Sequence, residues 1–206
     1  MVDKSHWHLI KNGIQGTTLQ LNDAVIRKAL VNFLKDRKPS PKLIAEEINI
    51  HNGNAIADIV AIYSDSHCFE IKSDRDNINR VLRQAKYYDL TFSKITLVTT
   101  EKNKLKAQEI LPEYWGILIA SNEVGEIKLS YLRKAKTNPK WCSEKALLSL
   151  WKSELIDTCL NLNLTDIKQN FSREKLATHL SKTQRKSSIR KELTDKLLNR
   201  FSERSL

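Results

Sequence analysis

Nowhere does the 206-residue chain hold an apolar run approaching the roughly 18 residues needed to cross a bilayer, so no membrane-spanning helix is expected. Its start, Met1-Val2-Asp3-Lys4-Ser5-His6-Trp7, lacks the apolar core of a secretory signal. Cysteine is scarce. Cys68, Cys142 and Cys159 are odd in number, widely spaced and outside any CxxC pair. That argues against a disulfide framework and a zinc site, and suggests reduced thiols in a cytoplasmic protein. Internal repeats and low-complexity tracts are absent as well. What remains, 40% apolar and 29% charged residues, fits a globular chain with room for one ordinary domain and a modest appendage.

The net charge of +11 is unevenly spread. Residues 1–132 carry 18 Lys/Arg against 16 Asp/Glu, whereas residues 133–206 carry 17 against 8. A basic third on a nearly neutral body suggests a polyanionic partner, nucleic acid first; a merely cationic solvated surface is the competing reading.

Residues 1–20 are polar and read as an arm or an edge strand. Asn22-Asp23 offers an N-cap, and Val25, Ile26, Ala29, Leu30, Phe33 and Leu34 recur at helical spacing, predicting an amphipathic helix over 23–36. Residues 43–50 form a short helix or strand that leads to a turn at Asn52-Gly53-Asn54. Ala55–Tyr63 and His67–Lys72 read as a hairpin turning at Ser64-Asp65-Ser66. A helix over 74–90, strands over 94–100, 116–120 and 126–132, and a helix over 102–111 follow. The expected fold is α/β, with a mixed sheet flanked by helices over residues 1–135. After Pro139 the chain reads as an all-α basic region over 140–206, helical throughout 143–206, with Leu147 to Ile156 at core spacing and basic helices near 172–181 and 187–202.

The hairpin carries the informative charges. Asp58 shares a strand face with Ile56, Val60 and Ile62, while Glu70 and Lys72 share a face of the second strand. With the turn centred on Asp65, Lys72 lies opposite Asp58 and Glu70 opposite Val60, bringing the three charges into reach of one another. Charges inside an apolar hairpin must be paired or bound, because isolated buried charge is costly. Oxygen ligands from two carboxylates suit magnesium, or manganese. A plain salt-bridge cluster is the alternative that spacing alone leaves open.

The run Glu47-(x10)-Asp58-(x11)-Glu70-Ile71-Lys72 resembles the PD-(D/E)XK nuclease signature, and Gln84-Ala85-Lys86-Tyr87-Tyr88 resembles the Q-xxx-Y element of its RecB-like branch. The segments NDAVIRKAL, EIKSDRDN, PEYWGI and LLSLWKSEL are similar to those of a small bacterial and phage family assigned to these nucleases. Ala57 stands where the motif has proline. The resemblance implies a restriction-endonuclease-like core and a metal-dependent deoxyribonuclease. Glu47 would be the upstream helix carboxylate, preferred over its neighbour Glu46. Asp58, Glu70 and the Ile71 carbonyl would hold a magnesium or manganese ion, with Glu47 reaching it directly or through water. Lys72 would orient the attacking water and stabilise developing charge, and Gln84 would position the nucleophile.

Tyr88 would pack or contact a phosphate; Arg80 and Arg83 are candidates for phosphate contacts, as are Lys182, Arg185, Lys186 and Arg190 in the densest basic run, with solvated helix faces as the competing reading for the cations. Ser73 and Asp74 read as an N-cap, His6-Trp7-His8 as a terminal stretch without a metal role, and Trp115, Trp141 and Trp151 as packing residues. A non-catalytic regulator or inhibitor that keeps the nuclease fold is the second functional reading. The expected partner is DNA and no membrane. Substrate strandedness, endo- against exonuclease action, and monomer against homodimer stay open at this level.

Overall fold

A computed structural model describes residues 21–168 and 170–202. The expected N-terminal arm and the His6-Trp7-His8 stretch lie outside the described residues. Helix α1 (Asp23–Lys35) starts where Asn22 accepts a hydrogen bond from the Val25 backbone N–H, at 3.0 Å. The strands are β1 (Leu43–Ile50), β2 (Ala55–Ile62), β3 (Ser66–Ile71), β4 (Lys94–Thr100), β5 (Gly116–Glu123) and β6 (Glu126–Arg133). They form one six-stranded mixed sheet in the order β1-β2-β3-β4-β5-β6. The pairs β3/β4 and β4/β5 run parallel, and the other three pairs antiparallel. Two helices join the parallel strands, α2 (Arg80–Thr91) and α3 (Lys104–Ile110). Four more follow the sheet: α4 (Ser143–Leu147), α5 (Lys152–Asn161), α6 (Arg173–Thr183) and α7 (Lys186–Ser202).

Both sheet faces are covered. Ile26, Leu30 and Leu34 of α1 pack on Ile59, Phe69, Ile71, Val98 and Leu118. The opposite face (Val60, Cys68, Ile95, Leu97, Ile117) shares one apolar cluster with α2 and with Leu147, Leu155, Leu180, Ile189 and Leu193 of the C-terminal helices. Continuous burial along β4 and the first part of β5 follows from covering a parallel pair on both sides. Polar anchors also tie residues 138–141 to α2. Asn138 Nδ2 donates to the carbonyls of Asp89 and Phe92 at 2.7 and 2.8 Å, and Trp141 Nε1 donates to the Thr91 carbonyl at 3.0 Å.

Several expectations are corrected. Residues 43–50 are a strand, so Glu47 does not sit on a helix. The β2/β3 register pairs Ile62 with Ser66 and Val60 with Cys68, centring the turn on Ser64. This shifts the expected register by two residues and brings Glu70, not Lys72, level with Asp58. The α2 helix begins at Arg80 because residues 73–79 are held otherwise: Asp76 accepts from the Ser73 N–H and hydroxyl, and Thr100 and Asn103 bind Asp74 and the Ser73 carbonyl. The helix expected throughout 143–206 is broken, first between α4 and α5, where the Glu154 carboxylate accepts from the Trp151 N–H at 2.6 Å, and again between α5 and α6.

The alternation of β1 and β2 breaks at one place. Ala45 and Ile48 join the same apolar cluster, as do Ala57 and Val60, although strict alternation would send each pair to opposite faces. The pairing passes over Glu47 and Asp58, and Glu47 has φ +53°. A left-handed residue here re-aims the chain on either side of it.

Candidate active site

Glu70 is the centre of the site. It lies near the C-terminal end of β3, on the face covered by α2, and is fully buried. One carboxylate oxygen forms an ion pair with Lys72 Nζ, which also donates to the Ile71 carbonyl at 3.2 Å. The other lies 2.6 Å from the Tyr88 hydroxyl. Tyr88 also reaches the Ile56 carbonyl at 2.7 Å and accepts from Gln84 Nε2 at 3.0 Å. A phenol has one proton and here faces two acceptors, so a protonated Glu70 would satisfy the set completely. The electrostatics agree: burial first, then the Asp58 carboxylate, push the Glu70 carboxyl up to about 7, against the lowering effect of Lys72. Burial, with Cys68 and Glu70 adding to it, holds the Tyr88 phenol far above its ordinary value, so it remains a donor.

Asp58 sits where the strand alternation breaks, half-buried. Its Oδ2 accepts from the Ile71 N–H at 2.8 Å, which fixes it against the end of β3. Its Oδ1 is 3.3 Å from the Arg27 guanidinium, which also donates to the Asp58 carbonyl at 2.9 Å. Arg27 reaches Asp23 at 3.1 Å and Glu46 at 3.5 Å as well. Three carboxylates thus converge on one cation of α1. Glu46, rather than the expected Glu47, shares that cation with Asp58. Glu47 is exposed, forms no ion pair with Arg27, and lines with Glu46 a groove that also holds Leu148, Trp151, Arg173 and Arg200.

The structure therefore brings Asp58, Glu70, Lys72, Gln84 and the Ile71 carbonyl together, and leaves Glu47 outside. Among the described residues no three His, Cys, Asp or Glu side chains form a metal-binding group. The pair Asp58 and Glu70, with the Ile71 carbonyl, does suit a divalent cation. Burial and like charge hold Glu70 towards its neutral form, and a cation between the two carboxylates would offset both effects.

The phosphate-contact candidates separate. Of the two roles open to Tyr88, full burial leaves packing and not phosphate contact, and its hydroxyl bonds Glu70. Arg80 and Arg83 are exposed on α2. Lys182, Arg185 and Lys186 are exposed at the α6–α7 junction. Arg190 is half-buried, 4.5 Å from the Trp141 ring and 3.9 Å from Asp65. Asp65 lies in the hairpin turn, so this run sits at the far end of β3 from Glu70, roughly 15 Å along the strand.

Sequence reading missed Arg27. At four residues from Asp23 it reads as an ordinary solvated helix pair, and nothing local signals a strand carboxylate 31 residues away. It also missed Asp89, a buried carboxylate that accepts from Trp115 Nε1 at 2.8 Å and pairs with Lys140 at 3.3 Å.

Comparison with known proteins supplies kinship. The family model described as "Bacteriophage P4 protein cII" matches residues 17–206. The chain belongs to the bacteriophage P4 protein cII family. "Protein cII" of Enterobacteria phage P4 is 25% identical over 146 residues, which make up 70% of this chain and 55% of that protein. The chain thus spans about half the length of this cII relative. Among solved structures, the SPO1766 protein of unknown function from Silicibacter pomeroyi aligns over 63% of this chain and 85% of its own, at 16% identity and a TM-score of 0.39. No helix among the described residues is long and apolar enough to cross a membrane.

Proposed function

We propose that this cII-family chain is a metal-dependent nuclease that hydrolyses DNA phosphodiester bonds at Asp58, Glu70 and Lys72. One observation carries the reading. Two carboxylates and a lysine from adjacent strands meet at the end of β3, and one carboxyl is buried with its pKa pushed up to about 7 by burial and by the other. A mixed sheet flanked by helices agrees with a restriction-endonuclease-like core. Asp58, Glu70 and the Ile71 carbonyl would hold magnesium or manganese, which supplies water activation and charge neutralisation at the scissile phosphate. Lys72 orients the attacking water and meets developing negative charge. Gln84 and Tyr88 hold Glu70 in place. Arg27 holds Asp58 and links it to Glu46.

A second reading, a non-catalytic nucleic-acid-binding regulator, draws on a different observation. All four oxygens of Asp58 and Glu70 are already engaged by Arg27, the Ile71 N–H, Lys72 and Tyr88. The deciding experiment incubates circular and linear DNA with the protein in magnesium, manganese and EDTA. Metal-dependent cleavage that Asp58→Ala and Glu70→Ala abolish supports catalysis. Wild-type rates in either variant, or inertness of the wild type in both metals, refute it. Glu46→Gln should slow cleavage more than Glu47→Gln, because only Glu46 shares Arg27 with Asp58.

A further inference from the structure

We propose that the end of the sheet bearing the β2–β3 turn is a docking face for duplex DNA, built jointly by the α/β body and α7. Two adjoining grooves meet at Ser64 and Asp65 of that turn. The first, about 340 Å³, is lined by Arg37, Lys38, Lys94 and Lys134, and the second, about 620 Å³, by Lys42, Lys186, Arg190 and Lys191. Among the described residues, Asp65 and Asp195 are the acidic ones that line them. Asp65 is partly neutralised, with Arg190 at 3.9 Å and the Ser93 hydroxyl donating to it at 3.3 Å. These cations come from segments scattered between residues 37 and 191. A solvated face of one helix would account for α7, but not for the convergence.

Clustering, more than pairing, distinguishes these lysines, since exposed Lys28, Lys35 and Lys152 also form no ion pair among the described residues. Lys104, Lys106, Lys128, Lys140, Lys145 and Lys196 each lie within 3.4 Å of a carboxylate. Lys38, Lys42, Lys94, Lys134, Lys186 and Lys191 are all exposed, and among the described residues none forms an ion pair. Unpaired charge gathered in one place raises the local potential and favours a polyanion. The surface also lacks what other partners need. Among the described residues none of the exposed large apolar side chains, Trp151 and Leu105 among them, lines either groove or offers it an apolar anchor for a protein interface or a lipid surface. Single strands are held largely by stacking on aromatic faces, and both aromatic rings here, Tyr63 and Tyr131, are half-buried. A duplex carries one charge per ~1.7 Å of its axis and is held chiefly through phosphates, which matches a face of clustered lysines.

The inference does not rest on cleavage, so its test is run in EDTA. Fluorescence anisotropy follows binding to a 30-base-pair duplex at several salt concentrations. The triple variant Lys38→Gln, Lys94→Gln, Lys134→Gln lies wholly in the α/β body. It should bind more than tenfold more weakly at 100 mM salt. Its slope of log affinity against log salt should be shallower by about 2 to 3, at ~0.9 per lost phosphate contact. A control triple of paired lysines, Lys104→Gln, Lys106→Gln, Lys128→Gln, should keep the wild-type slope. Equal slopes for wild type and the groove triple, equal loss in the control, tighter binding of single strands than of duplex, or no duplex binding by the wild type each overturns the proposal.

Discussion

Replacing Glu70 by glutamine tests the electrostatic account of the site without any substrate. In the folded protein the Glu70 carboxyl is pushed up to about 7 by burial and by Asp58, against 4.5 for the unperturbed group. Between those values the folded chain keeps a proton that the unfolded chain has lost. Stability contributed by this group is therefore fully present below pH 4.5 and is lost as pH rises through 7. At about 1.4 kcal/mol per unit, the loss is about 3 kcal/mol. Glutamine cannot ionise and still offers an oxygen to Lys72 and an amide to Tyr88, so it removes the pH dependence at small steric cost. His67 runs the other way: burial, then Lys94, hold its ring down to about 3, so it adds stability as pH rises towards 6.5. The ring is partly exposed, which weakens that effect. Its contribution is common to both proteins and cancels in the difference.

The assay is urea unfolding in EDTA at pH 5, 6, 7 and 8. Relative to wild type, Glu70→Gln should gain stability steadily from pH 5 to 8, by about 3 kcal/mol in all. Adding magnesium at pH 8 should raise wild-type stability and leave the variant nearly unchanged, because binding to the folded state stabilises it. Parallel pH profiles for the two proteins would show that Glu70 is ionised throughout and refute the reasoning.

Two further outcomes follow from the surroundings of this group. Tyr88→Phe removes the hydroxyl that bonds buried Glu70 and the Ile56 carbonyl, and with it a hydrogen bond that lowers the Glu70 pKa. It should cost about 1–3 kcal/mol in urea unfolding and move the midpoint of the wild-type pH dependence to higher pH; an unmoved midpoint would separate the tyrosine from Glu70. Glu47→Gly relieves a left-handed residue at φ +53° and should raise stability by up to about 1 kcal/mol by the same measurement, whereas loss of stability would mean that the Glu47 side chain contributes more than its backbone costs.

The elements that were legible are those whose pattern repeats. In α1 the spacing of Ile26, Leu30 and Leu34 follows the turn of a helix, and Asn22 is a preferred cap, so position and buried face could both be read. The apolar strands β4 and β5 and the two basic helices were equally readable. Residues 43–50 were not. Alternation within them breaks at Glu47, and a break in period looks the same whether a helix or a kinked strand causes it. The register of the hairpin failed for a smaller reason. The residues that turn the chain are the same whether the centre is Ser64 or Asp65, yet each one-residue move of the centre shifts cross-strand partners by two. Because a shift of two preserves faces, Glu70 and Lys72 were still assigned a common side, and the site survived the error.

What sequence could not supply was the placement of distant charges, and it is this placement that divides the molecule into two ends. Near the C-terminal end of β3, acidic groups outnumber their partners and one carboxyl is held towards neutrality. At the turn end, lysines gather with few acids to pair them. A duplex resting on the turn would leave Glu70 about 15 Å away, or roughly four to five base pairs of axial rise. Duplex DNA is stiff over ~150 base pairs, so a phosphate held at the turn and a phosphate at Glu70 belong to different stretches of one molecule. Affinity and chemistry should then separate. The groove variants weaken binding while cleavage at saturating DNA is kept, and the Asp58 and Glu70 variants do the reverse. The same division makes the α7 run a check on geometry. Neutralising Lys182, Arg185 and Lys186 should flatten the salt slope only to the extent that each side chain reaches the face at Ser64 and Asp65. Lys186 lines that face and Lys182 does not, so the Lys186 change should carry the larger part. An equal effect from Lys182 would mean that the DNA path follows the helices and not the turn.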